Sequence, residues 1–104
     1  MTVLVFSLGT TSRCDAIDPA WLTSDAPEIL WVDLDHTDEA AKAVLSETFR
    51  FHELAVEDAL AESHHPKVEP YDETLYVVLH GIVAGRRHEG FRTQDVDFFL
   101  GRNF

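Results

Sequence analysis

The amino-acid sequence predicts an α/β or α+β domain in which a mixed β-sheet is sandwiched between helices. Runs of β-branched and aromatic residues are bounded by glycines, which is typical of strands. Two stretches between them carry apolar residues at helical spacing. The 104 residues, of which 45% are hydrophobic, are enough to bury a core. Residues 1–104 are therefore predicted to form a single domain.

The charge and composition exclude several functional classes. The net charge is −11, from 19 acidic and 8 basic residues, and such a surface repels nucleic-acid phosphates and anionic lipids. The single cysteine, Cys14, cannot staple the domain and carries no catalytic signature. No basic signal region follows Met1, and no segment approaches the ~20 apolar residues of a membrane span. The chain is expected to be soluble.

The first half of the chain begins with a strand at residues 2–8, followed by a loop at residues 10–15. Asp18 suits an N-cap and Pro19 the first position of a short helical turn. A second strand is expected over residues 28–35, with Trp31 in the core, as is most common for large aromatic side chains.

Two helices follow. The first is expected over residues 38–49, capped by Thr37, with one apolar face at 3.6-residue periodicity; that face comprises Ala40, Ala41, Val44, Leu45 and Phe49. Phe51 is expected in the core. The second helix is predicted over residues 53–63, before Pro66 stops it.

The last part of the chain is predicted to form a β-hairpin. Residues 74–84 and 91–101 form the two predicted strands, with a glycine-bounded turn at residues 85–90 between them. Residues 67–73 are either a short edge strand or a turn, because Pro70 cannot donate a ladder hydrogen bond in a central strand. The predicted order is β–α–β–α–α–β–β.

The second helix concentrates acidic residues on one side. Glu53 with Glu57, and Asp58 with Glu62, are like-charge pairs at i,i+4, each costing about 0.2–0.5 kcal/mol. No lysine or arginine lies on this helix to offset them. The pattern fits a solvated helix face, and it also fits a face that docks against a partner through cations. Mg²⁺ uses oxygen ligands and often only one or two carboxylates.

Other chemistry finds little support in the sequence. His64 and His65 are adjacent, whereas histidines that share a zinc ion on a helix are spaced i,i+4. The chain has no G-x-S-x-G, Walker A or G-x-G-x-x-G motif. Asp33 and Asp35 stand at a strand end, where a carboxylate is either catalytic or marks the exit to solvent. We do not expect an enzyme.

Five pieces follow one another along the chain: "WVDLD", an amphipathic helix, "FRFHELAVEDAL", "HHPKVEPYDETLYVVLHGIV" and "DVDFFLGRNF". In this order they resemble the N-terminal cytoplasmic domain of the CorA family of magnesium transporters. They follow the family's tryptophan-led strand, its "H-P-L-x-x-E-D" and "R-P-K-[VI]-E" motifs and a strand ending near "F-L-G-x-N". The similarity covers about residues 28–104.

The chain also departs from that pattern. Glu53 replaces the usual proline after the histidine, although both residues suit the first turn of a helix. His65 replaces the common arginine. The family's stalk helix, two membrane spans and Gly-Met-Asn pore signature are absent from these residues, so the chain is expected to be a fragment of a longer protein.

The resemblance implies a regulatory role. It places Glu57 and Asp58 in a divalent-cation site between neighbouring subunits of a homopentamer, completed by a carboxylate from the next subunit. The expected ligand is Mg²⁺, or another divalent cation, bound weakly by the isolated domain. The full-length protein is expected in the cell membrane, reached only through the missing C-terminal segments, with this domain on the cytoplasmic side.

Two further expectations concern Lys67 and the rival function. Lys67 in "PKVE" is predicted to pair with a nearby acid and to fix the turn into the following strand. The alternative to a transporter domain is a free-standing interaction module or small enzyme on a similar α/β scaffold.

Overall fold

The computed structural model describes residues 1–61, 65–85 and 90–104. Its strands are β1 (Thr2–Ser7), β2 (Thr10–Cys14), β3 (Ile29–Asp33), β4 (Lys67–Tyr71), β5 (Thr74–Ala84) and β6 (Phe91–Leu100). Its helices are a 3₁₀ turn (Pro19–Leu22), α1 (Ala41–Ala43), which continues as a π-helical turn (Val44–Thr48), and α2 (Glu53–Leu60). None of the helices in the described ranges is long and apolar enough to cross a membrane.

The strands form two three-stranded sheets, with the orders β2-β1-β3 and β4-β5-β6. Every described pairing is antiparallel, so the prediction of one mixed sheet is wrong for these strands. The reason lies in the connections. Two-residue turns join β1 to β2 and β4 to β5, and such short turns can only join antiparallel strands.

The N-terminal sheet contains a strand where the sequence predicted a loop. The polar segment of β2 pairs with β1 from Ser7↔Thr10 to Val3↔Cys14. Leu8 and Gly9 make the turn with φ of 48° and 78°, and positive values at both positions match the twist of a hairpin. Val3, Val5 and Leu30 form the buried core of this sheet. Trp31 was expected in the core but is 56% exposed, because strand alternation places it opposite to Leu30.

Helical segments occur near the predicted positions, but their caps and first residues differ in part from the prediction. Asp18 caps the 3₁₀ turn by accepting from the backbone N–H of Ala20 at 2.9 Å, as predicted. Thr37 does not cap the next helix, because its hydroxyl and its backbone N–H both donate to Asp35. These hydrogen bonds lower the pKa of Asp35. The helical path then begins at Ala41, three residues later than expected.

The C-terminal sheet matches the predicted hairpin closely, and Pro70 lies in β4 at the sheet edge. One face packs against α2 through Ala55, Tyr76 and Val78. The opposite face, by strand alternation and register, leaves apolar side chains between 36% and 61% exposed: Val68, Leu75, Leu79, Val96 and Leu100. Described helices therefore cover one face only, and a sheet sandwiched between helices is not confirmed.

An aromatic bridge joins the two sheets. The ring of Phe51 stacks on Phe99 of β6, with centroids 4.2 Å apart, and also contacts Phe49 and Phe104. Phe104 in turn packs against the N-terminal core. Phe51 is thus half-buried at the junction, close to the core position expected for it.

The segment after β6 adds polar links to this bridge. The backbone carbonyl of Asn103 accepts from the N–H of Leu30 at 2.7 Å, and its side-chain amide donates to the carbonyls of Trp21 and Glu28. A Cβ on Gly101 would stand 2.2 Å from the Phe104 ring. A larger residue at this position would have to displace the Phe104 ring from the aromatic bridge.

Candidate cation-binding face

Helix α2 owes its start to His52. The Nδ1 atom of His52 accepts from the backbone N–H of Leu54 at 3.1 Å, which satisfies one of the free donors of the first turn. The imidazole also lies 4.8 Å from the Tyr71 ring. Glu53 in the first turn complements the helix dipole. The described helix ends at Leu60, before the predicted end at Ser63, which lies outside the described residues together with Glu62 and His64.

The buried side of α2 is apolar and small. Ala55 is 1% exposed and packs against Tyr76 and Val78. Ala59 lies on the same cluster one turn later. Small side chains let the helix axis approach the sheet closely, and this contact sets where the acidic residues of α2 project.

Glu57 projects into an open groove between α2 and the preceding helical turn. This acidic groove has a volume of about 620 Å³ and an apolar floor that includes Phe51 and Val56. The complete lining is Lys42, Ser46, Phe51, Glu53, Val56, Glu57, Leu60 and Ala61. Among the described residues, neither Glu53 nor Glu57 forms an ion pair within 4.0 Å. Their mutual repulsion at i,i+4 is therefore not relieved by a salt bridge in the described part of the chain.

Asp58, the next residue, is part of a closed network instead. The Nζ atom of Lys67 lies 2.6 Å from Oδ2 of Asp58 and 2.8 Å from Oε1 of Glu69. The other oxygen of Glu69 accepts from the hydroxyl of Tyr71 at 2.7 Å. We call these four residues, Asp58, Lys67, Glu69 and Tyr71, the lysine cluster. The predicted pairing of Lys67 with a nearby acid is confirmed.

The lysine cluster shifts the acid–base properties of its members. Hydrogen bonds to Asp58, and then to Glu69, raise the pKa of Lys67, so its ammonium stays charged. Hydrogen bonds from Lys67 and Tyr71 lower the pKa of Glu69. The hydrogen bond to Glu69 raises the pKa of Tyr71. Each shift favours the protonation state seen in the network, in which two carboxylates share one ammonium and Tyr71 donates to one of them.

Tyr76 and Asp97 extend this polar region beneath the helix. The Tyr76 hydroxyl donates to Oδ2 of Asp97, and the ammonium of Lys67 lies 5.6 Å from the Tyr76 ring centroid. Burial, together with the Asp97 hydrogen bond, raises the pKa of Tyr76. Sequence reasoning missed this network, although register pairing of β4, β5 and β6 brings its members to one face of the sheet.

The predicted metal ligands therefore lie side by side on α2 but have different surroundings. Within the described ranges, no three histidine, cysteine, aspartate or glutamate side chains converge closely enough to hold a metal ion. Glu57 offers an exposed carboxylate in the acidic groove, beside Glu53. Carboxylate oxygens are the ligand type that Mg²⁺ takes, and a hydrated Mg²⁺ ion often uses only one or two of them from a protein.

A family model for "CorA-like Mg2+ transporter protein" matches residues 27–104. The chain belongs to the CorA family. A Bacillus subtilis (strain 168) protein named "Putative metal ion transporter YfjQ" is 33% identical over 92 residues, which are 88% of this chain and 25% of that protein. The chain thus spans about a quarter of the length of this relative. The family model begins at residue 27, just before β3, so β1 and β2 lie outside the part of the chain that the model matches.

Proposed function

We propose that this chain is the cytoplasmic, cation-sensing domain of a CorA-like metal ion transporter located in the cell membrane. In this proposal Glu57 and Asp58 contribute to a Mg²⁺ site between neighbouring subunits, with a further carboxylate supplied by the next subunit. Mg²⁺ holds the subunits of a pentamer together in a closed state, and its loss lets them separate. The assembly then responds by population shift, because the cation binds the two arrangements with different affinities.

The observation that carries this proposal is that Glu53 and Glu57 line the acidic groove without an ion pair among the described residues. A carboxylate pair that repels itself on an exposed helix gains stability when a cation lies between it and a partner. The apolar floor, with Phe51 and Val56, gives that partner a surface to bury. Family membership and the similarity to a named metal ion transporter support the same role.

The reading frame beyond Phe104 provides a first test. The proposal predicts a long charged helix followed by two apolar segments of about 20 residues each. A stop codon directly after Phe104 would favour the rival, a free-standing interaction module.

The second test uses the full-length protein in membranes, probed by limited proteolysis with and without Mg²⁺. Mg²⁺ is expected to protect the wild type, and Glu57→Gln is expected to need several-fold more Mg²⁺ for the same protection. Asp25→Asn, an exposed carboxylate in a loop away from α2, is the matched control. Equal Mg²⁺ dependence in wild type and Glu57→Gln would contradict the proposal.

On the isolated chain, Mg²⁺ binding is expected to be weak, because the partner carboxylate belongs to another subunit. Isothermal titration calorimetry measures this directly. A stoichiometric, micromolar site on the monomer would argue against a site shared between subunits.

A further inference from the structure

The ammonium of Lys67 occupies the position that a bound cation would take beside Asp58. It lies within 2.8 Å of two carboxylates, Oδ2 of Asp58 on α2 and Oε1 of Glu69 on β4. The Lys67 side chain is only 27% exposed, so most of it is covered by neighbouring residues. A hard divalent cation seeks the same carboxylate oxygens. Lys67 and such a cation therefore compete for Asp58.

Several contacts keep Lys67 in place. Its ammonium lies 5.6 Å from the centre of the Tyr76 ring, within range of a cation–π interaction. Glu69 is itself held, because the Tyr71 hydroxyl donates to its second oxygen at 2.7 Å. The cluster links the C-terminal turn of α2 to β4 across nine residues of chain. Asp58 is thereby turned toward the sheet, while Glu57 lines the groove.

We infer that Lys67 is a built-in counter-cation that withholds Asp58 from divalent cations. Glu57 alone of the adjacent pair is then available on α2 at rest, and Asp58 joins a cation site only when Lys67 is displaced. Lys67 is a positioning residue in this scheme, since it acts through Asp58. The inference rests on the proposed function for its biological meaning, but the competition itself is a property of this chain.

The test is a Mn²⁺ titration of the 104-residue chain, followed by the loss of the free Mn²⁺ signal in electron paramagnetic resonance. Lys67→Met is expected to bind Mn²⁺ about tenfold more tightly than wild type, a change of about 1.4 kcal/mol in binding free energy, because the ammonium that competes for Asp58 is gone. Lys67→Arg restores the charge and is expected to bind as weakly as wild type. Arg13→Met, which removes a positive charge from the exposed strand β2 of the other sheet, is the matched control and is expected to bind as weakly as wild type.

Two more variants separate competition from simple loss of structure. Asp58→Asn combined with Lys67→Met is expected to return the affinity to the wild-type level, because the released carboxylate is gone. Glu69→Gln is expected to leave binding unchanged or weaker, because Lys67 then serves Asp58 alone. Thermal unfolding in EDTA identifies any variant that is unfolded. If Lys67→Met is unfolded, Lys67→Gln, which keeps a hydrogen-bonding side chain without the charge, takes its place and is expected to show the same gain in Mn²⁺ affinity.

The inference is overturned if Lys67→Met binds Mn²⁺ no more tightly than wild type, or if the gain persists in the double variant. That result is distinct from failure of the proposed function, which is read from the Mg²⁺ dependence of Glu57→Gln in the full-length protein. Lys67→Met could bind Mn²⁺ tightly while Glu57→Gln and wild type need equal Mg²⁺ for protection from proteolysis. That combination would support competition between Lys67 and the cation but reject the sensing role.

Discussion

The lysine cluster and the acidic groove lie on two sides of the same short helix. Each contains one of two adjacent carboxylates, Asp58 and Glu57, and these differ in whether a positive charge lies beside them. Asp58 is paired with an ammonium at 2.6 Å, whereas Glu57 has no ion pair among the described residues. Successive residues of a helix point about 100° apart, so one faces the sheet while the other faces the groove. Adjacent acids in a motif therefore need not share one role. Asp58 secures the helix to β4, whereas Glu57 presents an exposed carboxylate to the acidic groove.

The largest expected effect comes from the side chain that the two regions share. Phe51 lines the groove and stacks on Phe99 of the sheet. Phe51→Ala should lower the free energy of unfolding by about 3 kcal/mol, the lower end for buried aromatic truncations, since Phe51 is only half-buried. Urea unfolding followed by circular dichroism measures this. Leu54→Ala, whose side chain is 56% exposed on the same helix, is the control, and an equal loss there would disprove the bridging role.

The residues between α2 and the C-terminal sheet should make the free energy of unfolding fall at alkaline pH. The pKa of Tyr76 is raised in the folded protein, so its contribution is complete below the unfolded pKa of about 10 and is lost as the pH rises above it. Lys67 and Tyr71, whose pKa values are also raised, act in the same direction. Urea midpoints measured from about pH 8 to about pH 11, a range that spans the unfolded pKa of tyrosine, follow the decline.

Tyr76→Phe isolates the buried phenol. It should cost about 1 kcal/mol near neutral pH, the usual net worth of a hydrogen bond, and should flatten the alkaline decline. Tyr71→Phe, at the more exposed end of the network, should flatten it less. An alkaline decline as steep in Tyr76→Phe as in wild type would show that the phenol is not responsible.

A smaller effect is expected from Asp58. Asp58→Asn should destabilise the chain by at most about 1 kcal/mol, because a partly exposed ion pair is well screened and Lys67 keeps Glu69 as a partner. The loss should shrink further in about 1 M salt, where the Debye length falls to about 3 Å. Chemical unfolding at low and high salt tests this, and a loss that grows with salt would rule out the electrostatic origin.

The smallest effect, with the opposite sign, belongs to the groove. Glu57→Gln removes the i,i+4 repulsion with Glu53 and should stabilise the chain by about 0.2–0.5 kcal/mol. Thermal melts at low ionic strength measure it, with Glu47→Gln on the preceding helical turn as a control. A clear destabilisation by Glu57→Gln would mean that this carboxylate has a structural partner and that the two regions do not differ as described.

Parts of the molecule could be predicted from local patterns. The Asp18-Pro19 cap and the long hairpin strands β5 and β6 follow from signals within a few residues, and so does the edge position of Pro70. The pairing of Lys67 with an acid was also predictable, because a lysine amid carboxylates finds one. The polar strand β2 was not, since "TTSRC" lacks an apolar rhythm and becomes a strand only because the Leu8-Gly9 turn returns it to β1.

Residue types and their order were enough to establish the strand-forming runs, the acidic side of α2 and membership of the CorA family. Which acid is neutralised depends instead on tertiary packing. Lys67 reaches Asp58 because β4 lies beside α2, a relation set by the packing of Ala55 on Tyr76 and Val78. The same kind of long-range contact arranged the described strands as two antiparallel sheets bridged by aromatic rings, since register and sheet order arise between residues far apart in the chain.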